Sequence, residues 1–355
     1  MKIMTILGTR PEIIRLCLII KKLDKLCNHT LVYTGQNYHP KLKDIFFKEL
    51  EVRQPDYSIN SKADTFGKQI SIIFQEIERI LLEVKPDRVL ILGDTNTDLS
   101  AIIAERMGIP VYHLEAGNRC YDPKVPEEKN RRIIDSISTY NMPYTPNSCN
   151  NLIKEGIPRE KIFITGNPIN EVMQHFNEKI SNSPIAHTLK LLPAPYALVT
   201  AHRAENVDVE PRLRNIITAL NTLANDMPVI LSCHPRTQSK LIKFRINTHV
   251  NLRINEPFGF FDFIKLEKLA SIIITDSGTV QEEACILNIP AVIIRDTTER
   301  PETCEVGASM ISGLEDKSIL RCISIMMNHK REWKQPIGYS DTDVSEKVIK
   351  FILGK

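Results

Sequence analysis

Apolar runs of four to seven residues recur along the chain and alternate with longer stretches whose apolar positions follow the helical period. That alternation is the pattern of a parallel sheet with crossover helices. It predicts strands near 2–7, 29–34, 87–92, 109–114 and 141–145, with helices near 11–26, 64–84, 97–107, 127–138 and 147–155. The pattern then begins again. Strands are expected near 196–200, 228–233, 250–253, 271–275 and 291–295, and helices near 208–225, 235–244, 260–269 and 278–288. Gly166-Asn167-Pro168 interrupts regular structure between the two series, and a terminal helix near 342–353 follows Gly338 and could dock on either domain. The class is therefore α/β, with two Rossmann-like parallel-sheet domains and a cleft where both sets of strand ends meet one ligand.

The chain has 355 residues, which fits two ordinary domains better than one large core. A net charge of +3 and the absence of Lys/Arg runs offer no footprint for nucleic acid or a membrane surface. No stretch of eighteen apolar residues occurs, so no spanning helix is expected. Eight cysteines lie at 17, 27, 120, 149, 233, 285, 304 and 322 without a CxxC or a paired metal spacing. Scattered reduced thiols in a cytoplasmic protein, with no metal, are the expectation.

Three acidic residues fall where the first sheet would gather them. Asp94 in Gly93-Asp94-Thr95 and Glu115 in His113-Leu114-Glu115-Ala116-Gly117 follow apolar strands, and Glu127 in Pro126-Glu127-Glu128 opens a helix. The alternative is structural: capping by Asp94, a dipole interaction for Glu127, and salt bridges with Arg119, Arg131 and Arg132. Three carboxylates around an anionic ligand nonetheless imply that protons move there, and crowding would raise at least one pKa.

The first strand ends in Gly8-Thr9-Arg10-Pro11-Glu12, where helix-start amides with Arg10 and Arg15 could hold phosphate. An ordinary turn with surface arginines fits equally. The counterpart in the second half is Asp276-Ser277-Gly278-Thr279, with Glu283 a turn further on, spaced to accept hydrogen bonds from a ribose diol. Helix capping by Ser277 or Thr279 is the competing reading. Arg300, in Arg295-Asp296-Thr297-Thr298-Glu299-Arg300-Pro301, could close on a diphosphate or belong to a solvated charge run. His202 and His234 stand at successive strand ends, a placement that favours function over two separate structural histidines.

Taken together, these motifs, with Glu127-Glu128-Lys129-Asn130-Arg131 and Gln281-Glu282-Glu283, resemble the non-hydrolysing UDP-N-acetylglucosamine 2-epimerase family over essentially the whole chain. The resemblance implies a glycosyltransferase-B-like fold, with domains at 1–167 and 168–339 and a helix at about 340–355 returning to the first. It implies a UDP-linked acetamido sugar as substrate, no cofactor, and a homodimer. The reaction would invert C2 by eliminating UDP across C1 and C2 and adding it back. Asp94, Glu115 and Glu127 would supply acid and base, with His202 assisting at the leaving diphosphate. Arg10, Arg15, His234, Ser277, Gly278, Thr279, Glu283 and Arg300 would bind substrate, and Phe263 would stack on uracil. Arg15, Thr279 and Phe258 stand where the GlcNAc enzymes usually have Lys, Gly and Gln. The segments around Cys120, Asn206 and Phe258 look more like the subgroup that forms UDP-N-acetyl-L-fucosamine, which keeps that sugar as the alternative. A glycosyltransferase would be the remoter alternative. Gln36 and His234 match parts of an allosteric site of the GlcNAc enzymes, from which Asn37-Tyr38-His39 departs.

Overall fold

The computed structural model describes residues 1–36, 40–191, 193–328 and 330–354, with side chains withheld at 40–43. Asn37-Tyr38-His39 lies outside the described residues.

The chain folds into two compact units, Met1–His175 with Ile337–Lys355, and Phe176–Pro336. The first is built on β1 (Lys2–Leu7), β2 (Asn28–Tyr33), β3 (Tyr57–Ser58), β4 (Arg88–Leu92), β5 (Val111–Leu114) and β6 (Tyr140–Met142). These form one parallel sheet in the order β3-β2-β1-β4-β5-β6. The second is built on β7 (Ala197–Thr200), β8 (Val229–Ser232), β9 (Leu252–Asn255), β10 (Ile272–Thr275), β11 (Ala291–Ile293) and β12 (Ser309–Ile311). Its parallel order is β12-β11-β10-β7-β8-β9. Each is the Rossmann order, with its reversal between β1 and β4 or between β7 and β10.

Continuous apolar runs form these strands because both faces of each sheet are covered. In the second unit Val199, Leu231, Ile274 and Val292 enter one buried cluster, while their neighbours Leu198, Ile230, Ile273 and Ile293 enter the other. In the first, Met4, Ile6, Val89, Ile91 and Val111 pack on Ile73, Ile77, Ile80 and Leu81 of the helix Phe66–Val84.

Every expected strand is present, within three residues at each end. The helix expected over 97–107 begins as a tight turn at Asp98–Ser100 before Ala101–Arg106. The edge strands β3 and β12 are additional to the expected set, as are the helices Pro40–Glu49, Pro168–His175, Pro301–Glu305 and Asp316–Asn328. The helix Val344–Gly354 packs in the first unit on Arg10–Leu26 and Pro168–His175. There Phe351 stacks on Phe163, with ring centroids 4.3 Å apart, and the Ser345 N–H donates to Glu171 at 2.7 Å.

Candidate active site

At the end of β5 the chain turns sharply, placing Glu115 in the left-handed region at φ 68°. A non-glycine residue held there is costly unless its surroundings fix it, and such residues gather at functional sites. What fixes it is visible: its N–H donates to the Met142 carbonyl at 3.1 Å and its buried carboxylate meets two arginines. Arg15 pairs with one oxygen, and Arg131 reaches the other at 3.0 Å. The same Arg131 nitrogen also donates to the Asp94 carboxylate, and its other nitrogen to the Glu115 carbonyl. One buried guanidinium therefore holds Asp94 and Glu115 together.

Arg131 comes from the helix Pro126–Ile137, which starts on proline, where the missing N–H costs little. Glu127 lies four residues before it, hence on the same face one turn nearer the helix start, and is half-buried. Asn130 donates to the Asp94 carbonyl at 3.0 Å. Arg119 takes no part in the bridge; it pairs with Asp135 at 2.7 Å and with Glu155. Arg132 pairs with Glu155 at 3.1 Å.

Behind this set lies His113, wholly buried, with Nε2 2.7 Å from the Gly93 carbonyl and Nδ1 2.9 Å from Asp135. Burial pushes Asp135 up, but the His113 hydrogen bond and the charges of His113, Arg119 and Arg131 outweigh it, leaving Asp135 below the usual carboxylate range. Asp135 also accepts the Gly117 N–H at 3.1 Å. A side chain at Gly117, with φ 80°, would strike the Ser148 backbone, so the close turn after Glu115 requires glycine.

The β1 turn differs from a phosphate cradle. Thr9 caps the helix Arg10–Leu26, and the carboxylate of Glu12 accepts the Gly8 and Thr9 amides in a capping box. Those amides face Glu12, while Arg10 lies half-buried with its guanidinium 5.6 Å from the Phe46 ring centre. Arg15 is buried in its pair with Glu115. The N-cap of the turn Asp98–Ser100 is Thr97 rather than Asp94, and Asp98 accepts the Thr95 N–H and hydroxyl, each at 2.9 Å.

In the second unit Asp276, wholly buried after β10, organises the loop after β7. Its carboxylate accepts the amides of His202 and Arg203, each at 2.9 Å, and the Asn206 side chain at 3.1 Å. The His202 ring, about a third exposed, has Nδ1 3.3 Å from Asp276. The His234 ring lies 6.0 Å away, centre to centre. His234 is the N-cap of the helix Pro235–Lys243, and its Nδ1 accepts the Arg236 amide at 3.1 Å.

Ser277 precedes the nine-residue helix Gly278–Ile286 as N-cap, yet its hydroxyl makes no capping bond. Arg300 is buried beside that helix start: a Cβ on Gly278 would lie 3.6 Å from its guanidinium carbon. Arg300 pairs with Glu282, while Gln281 accepts from Thr298 at 2.7 Å and donates to Thr303 at 2.6 Å, pinning the loop that carries it. Glu299 is held by Arg295 at 2.6 and 2.7 Å. Burial pushes Glu299 up, but Arg203, Arg295 and Arg300 hold it well below the carboxylate range. Glu283 is buried one turn further along, and Thr279 is half-buried. Phe263 and Phe258 are half-buried against the cluster around Leu198 and Ile273.

Arg131 and Asp276 carry the most structure here without having been assigned a site role from sequence. Their signals were proximity to Glu127 and a buried-strand aspartate. Among the described residues no group of three or more His, Cys, Asp or Glu could hold a metal ion, and no helix is long and apolar enough to cross a membrane.

Two Rossmann-ordered sheets, with bridged carboxylates on one and a cation-flanked helix start on the other, define a glycosyltransferase-B-like protein. MurG of Acinetobacter baumannii shares the fold, with a TM-score of 0.58 at 14% identity over the whole of both chains. The chain belongs to the UDP-N-acetylglucosamine 2-epimerase family, whose model matches residues 21–353. It is 41% identical to UDP-N-acetylglucosamine 2-epimerase of Methanocaldococcus jannaschii over 99% of each chain. A crystal structure of the M. jannaschii UDP-GlcNAc 2-epimerase in complex with UDP-GlcNAc and UDP superposes with a TM-score of 0.95 at 40% identity, over all of both chains. The chain is also 35% identical to the UDP-2,3-diacetamido-2,3-dideoxy-D-glucuronate 2-epimerase of Pseudomonas aeruginosa, over 88% of each chain.

Proposed function

We propose that this protein interconverts UDP-N-acetylglucosamine and UDP-N-acetylmannosamine. The observation that carries the reading is the Asp94–Arg131–Glu115 bridge, in a chain alike end to end to relatives named for this reaction. C2 of the sugar bears no adjacent carbonyl, so its proton is removed only as C1 loses its substituent. A carboxylate of the first unit takes the C2 proton, the C1–O bond breaks, and UDP departs with the bonding electrons. The C1–C2 double bond of a 2-acetamidoglucal results. UDP then adds back to C1 while a second carboxylic acid protonates C2 from the other face. Asp94, Glu115 and Glu127 are the proton-handling groups; Arg131 and Arg15 fix the orientation of the first two.

The second unit binds the nucleotide. Ser277, Gly278 and Thr279 at the helix start, with Arg300, meet the phosphates; Glu283 meets the ribose; Phe263 meets uracil. His202, held by Asp276, stabilises the departing diphosphate. Arg10 and His234 complete the contacts. We also propose a cytoplasmic setting, supported by eight cysteines scattered without a CxxC or paired spacing, and a homodimer, to be checked by mass in solution.

The test is solvent deuterium at C2 of UDP-GlcNAc recovered after turnover in D2O with no acceptor. Incorporation with formation of UDP-ManNAc is expected, and absence of exchange during turnover overturns the mechanism. Running the 6-deoxy talosamine and fucosamine derivatives in parallel decides the sugar.

A further inference from the structure

Behind the helix start that carries Ser277, Gly278 and Glu283 lies another carboxyl group. Glu267, in the last turn of the helix Phe260–Leu269, is wholly buried, and its side chain is in hydrogen-bond contact with the buried Glu283. Among the described residues neither Glu267 oxygen accepts a hydrogen bond from an N–H or O–H donor. The lysines of the same helix point elsewhere: Lys265 to the Ser181 carbonyl at 3.0 Å, Lys268 to Asn177 at 2.8 Å. Tyr196, just before β7, also senses Glu267, and its hydroxyl is committed to the Leu266 carbonyl at 2.6 Å.

Two carboxylates in contact inside a protein cannot both carry charge. A single proton between them replaces repulsion with a short, charge-assisted hydrogen bond. Glu267 has no N–H or O–H donor among the described residues to hold a charge, so the shared proton belongs on it; burial, then the charge and contact of Glu283, push it above the ordinary carboxylate range. We propose that Glu267 is a positioning residue: as a carboxylic acid it donates to Glu283 and fixes the orientation in which Glu283 accepts the ribose hydroxyls of UDP. The proposal rests on the assignment of Glu283 to the ribose, made above. It adds a buried acid whose role is to aim a nucleotide ligand without touching it.

The experiment compares the affinities of UDP and 2′,3′-dideoxy-UDP by calorimetry on the full chain at neutral pH. Wild type should favour UDP by about 10-fold or more, the scale of hydrogen bonds to a charged group. Glu267→Gln, which keeps a donor, should retain that preference within about twofold. Glu267→Met, which fills similar space without a donor, should lose most of it while the melting temperature holds. Infrared difference spectra, wild type minus Glu267→Gln, should show a protonated-carboxyl carbonyl band. Retention of the preference in Glu267→Met, its loss in Glu267→Gln, or absence of the band overturns the role of Glu267. No preference for UDP in wild type overturns instead the assignment of Glu283 to ribose, and the proposal with it. Should Glu267→Met fail to fold, the Gln variant and the infrared band still decide.

Discussion

Between β1 and β4 of the first unit, and between β7 and β10 of the second, the strand order reverses, and the chain opens the same crevice twice. The first is filled from within. Glu12 occupies the amides of the β1 turn, Asp98 the Thr95 amide of the β4 loop, and Asp94 is tied through Arg131 to Glu115 just after the next strand. The second is arranged around one aspartate, Asp276, which gathers the loop bearing a partly exposed histidine. Beside it, the start of Gly278–Ile286 has an N-cap hydroxyl not engaged in capping and a buried arginine at its flank. One topology thus yields a crevice whose turn amides are taken up by its own carboxylates, and another whose helix start keeps its N-cap hydroxyl out of capping and an arginine at its flank. The difference lies in what each turn does with its backbone amides.

The comparison breaks most sharply at the carboxylates. Glu115→Gln and Asp94→Asn should each lower kcat about 10³-fold, in line with the loss of a positioned acid or base, while UDP affinity measured by calorimetry changes little. A large loss of UDP affinity would move these groups into the nucleotide site. Next in size, Arg131→Leu leaves Glu115 buried with part of its compensation gone. It should destabilise the protein by about 3 kcal/mol in urea unfolding, as removal of one partner from a buried pair does. Asp276→Asn should cost about 10-fold in kcat and shift the alkaline or acid limb of the pH profile, because it alters the loop and charge that hold His202. An unchanged pH profile would leave Asp276 a purely structural residue.

A further effect is a pH dependence of stability specific to the first crevice. Burial pushes Glu12 from 4.5 up to about 7, against the Gly8 and Thr9 hydrogen bonds. Asp98 is raised too, by burial and by the neighbouring Glu12. Folded Glu12 keeps a proton that the unfolded chain has released, so its contribution is fully present below 4.5 and is lost as pH rises through about 7. Between pH 5 and 7, wild type should lose stability with rising pH relative to Glu12→Gln, by at most about 1.4 kcal/mol per unit. Urea midpoints of the two proteins at several pH values check the sign.

Much of this was readable in the sequence for a physical reason. Strands such as Arg88–Leu92 and Ile272–Thr275 are covered on both faces, so burial writes them as unbroken apolar runs, and the residues that follow them are marked as strand ends. The edge strands β3 and β12 carry no such mark: Tyr57–Ser58 spans two residues and Ser309–Ile311 three, with an exposed Ile311. The helix Pro168–His175 was hidden by its own Gly-Asn-Pro entry, which reads as a break between domains. In the site, positions at strand ends were legible, but pairings were not. Arg131 meets Asp94 and Glu115, 37 and 16 residues away, and no local spacing distinguishes it from Arg132, which turns to Glu155. Likewise the turn Gly8-Thr9-Arg10 looks like an anion site until Glu12 is seen folded back on it.

The helix Val344–Gly354 belongs to the first unit, although the whole of the second is encoded between them. During synthesis the ribosome must therefore finish the second sheet before the first has its last helix to pack on Phe163 and Glu171. Translation at some 5 to 20 residues per second leaves that surface uncovered for roughly ten to thirty seconds, long on the scale of helix docking. The order of birth is the reverse of the order of completion: the unit that emerges first is sealed last.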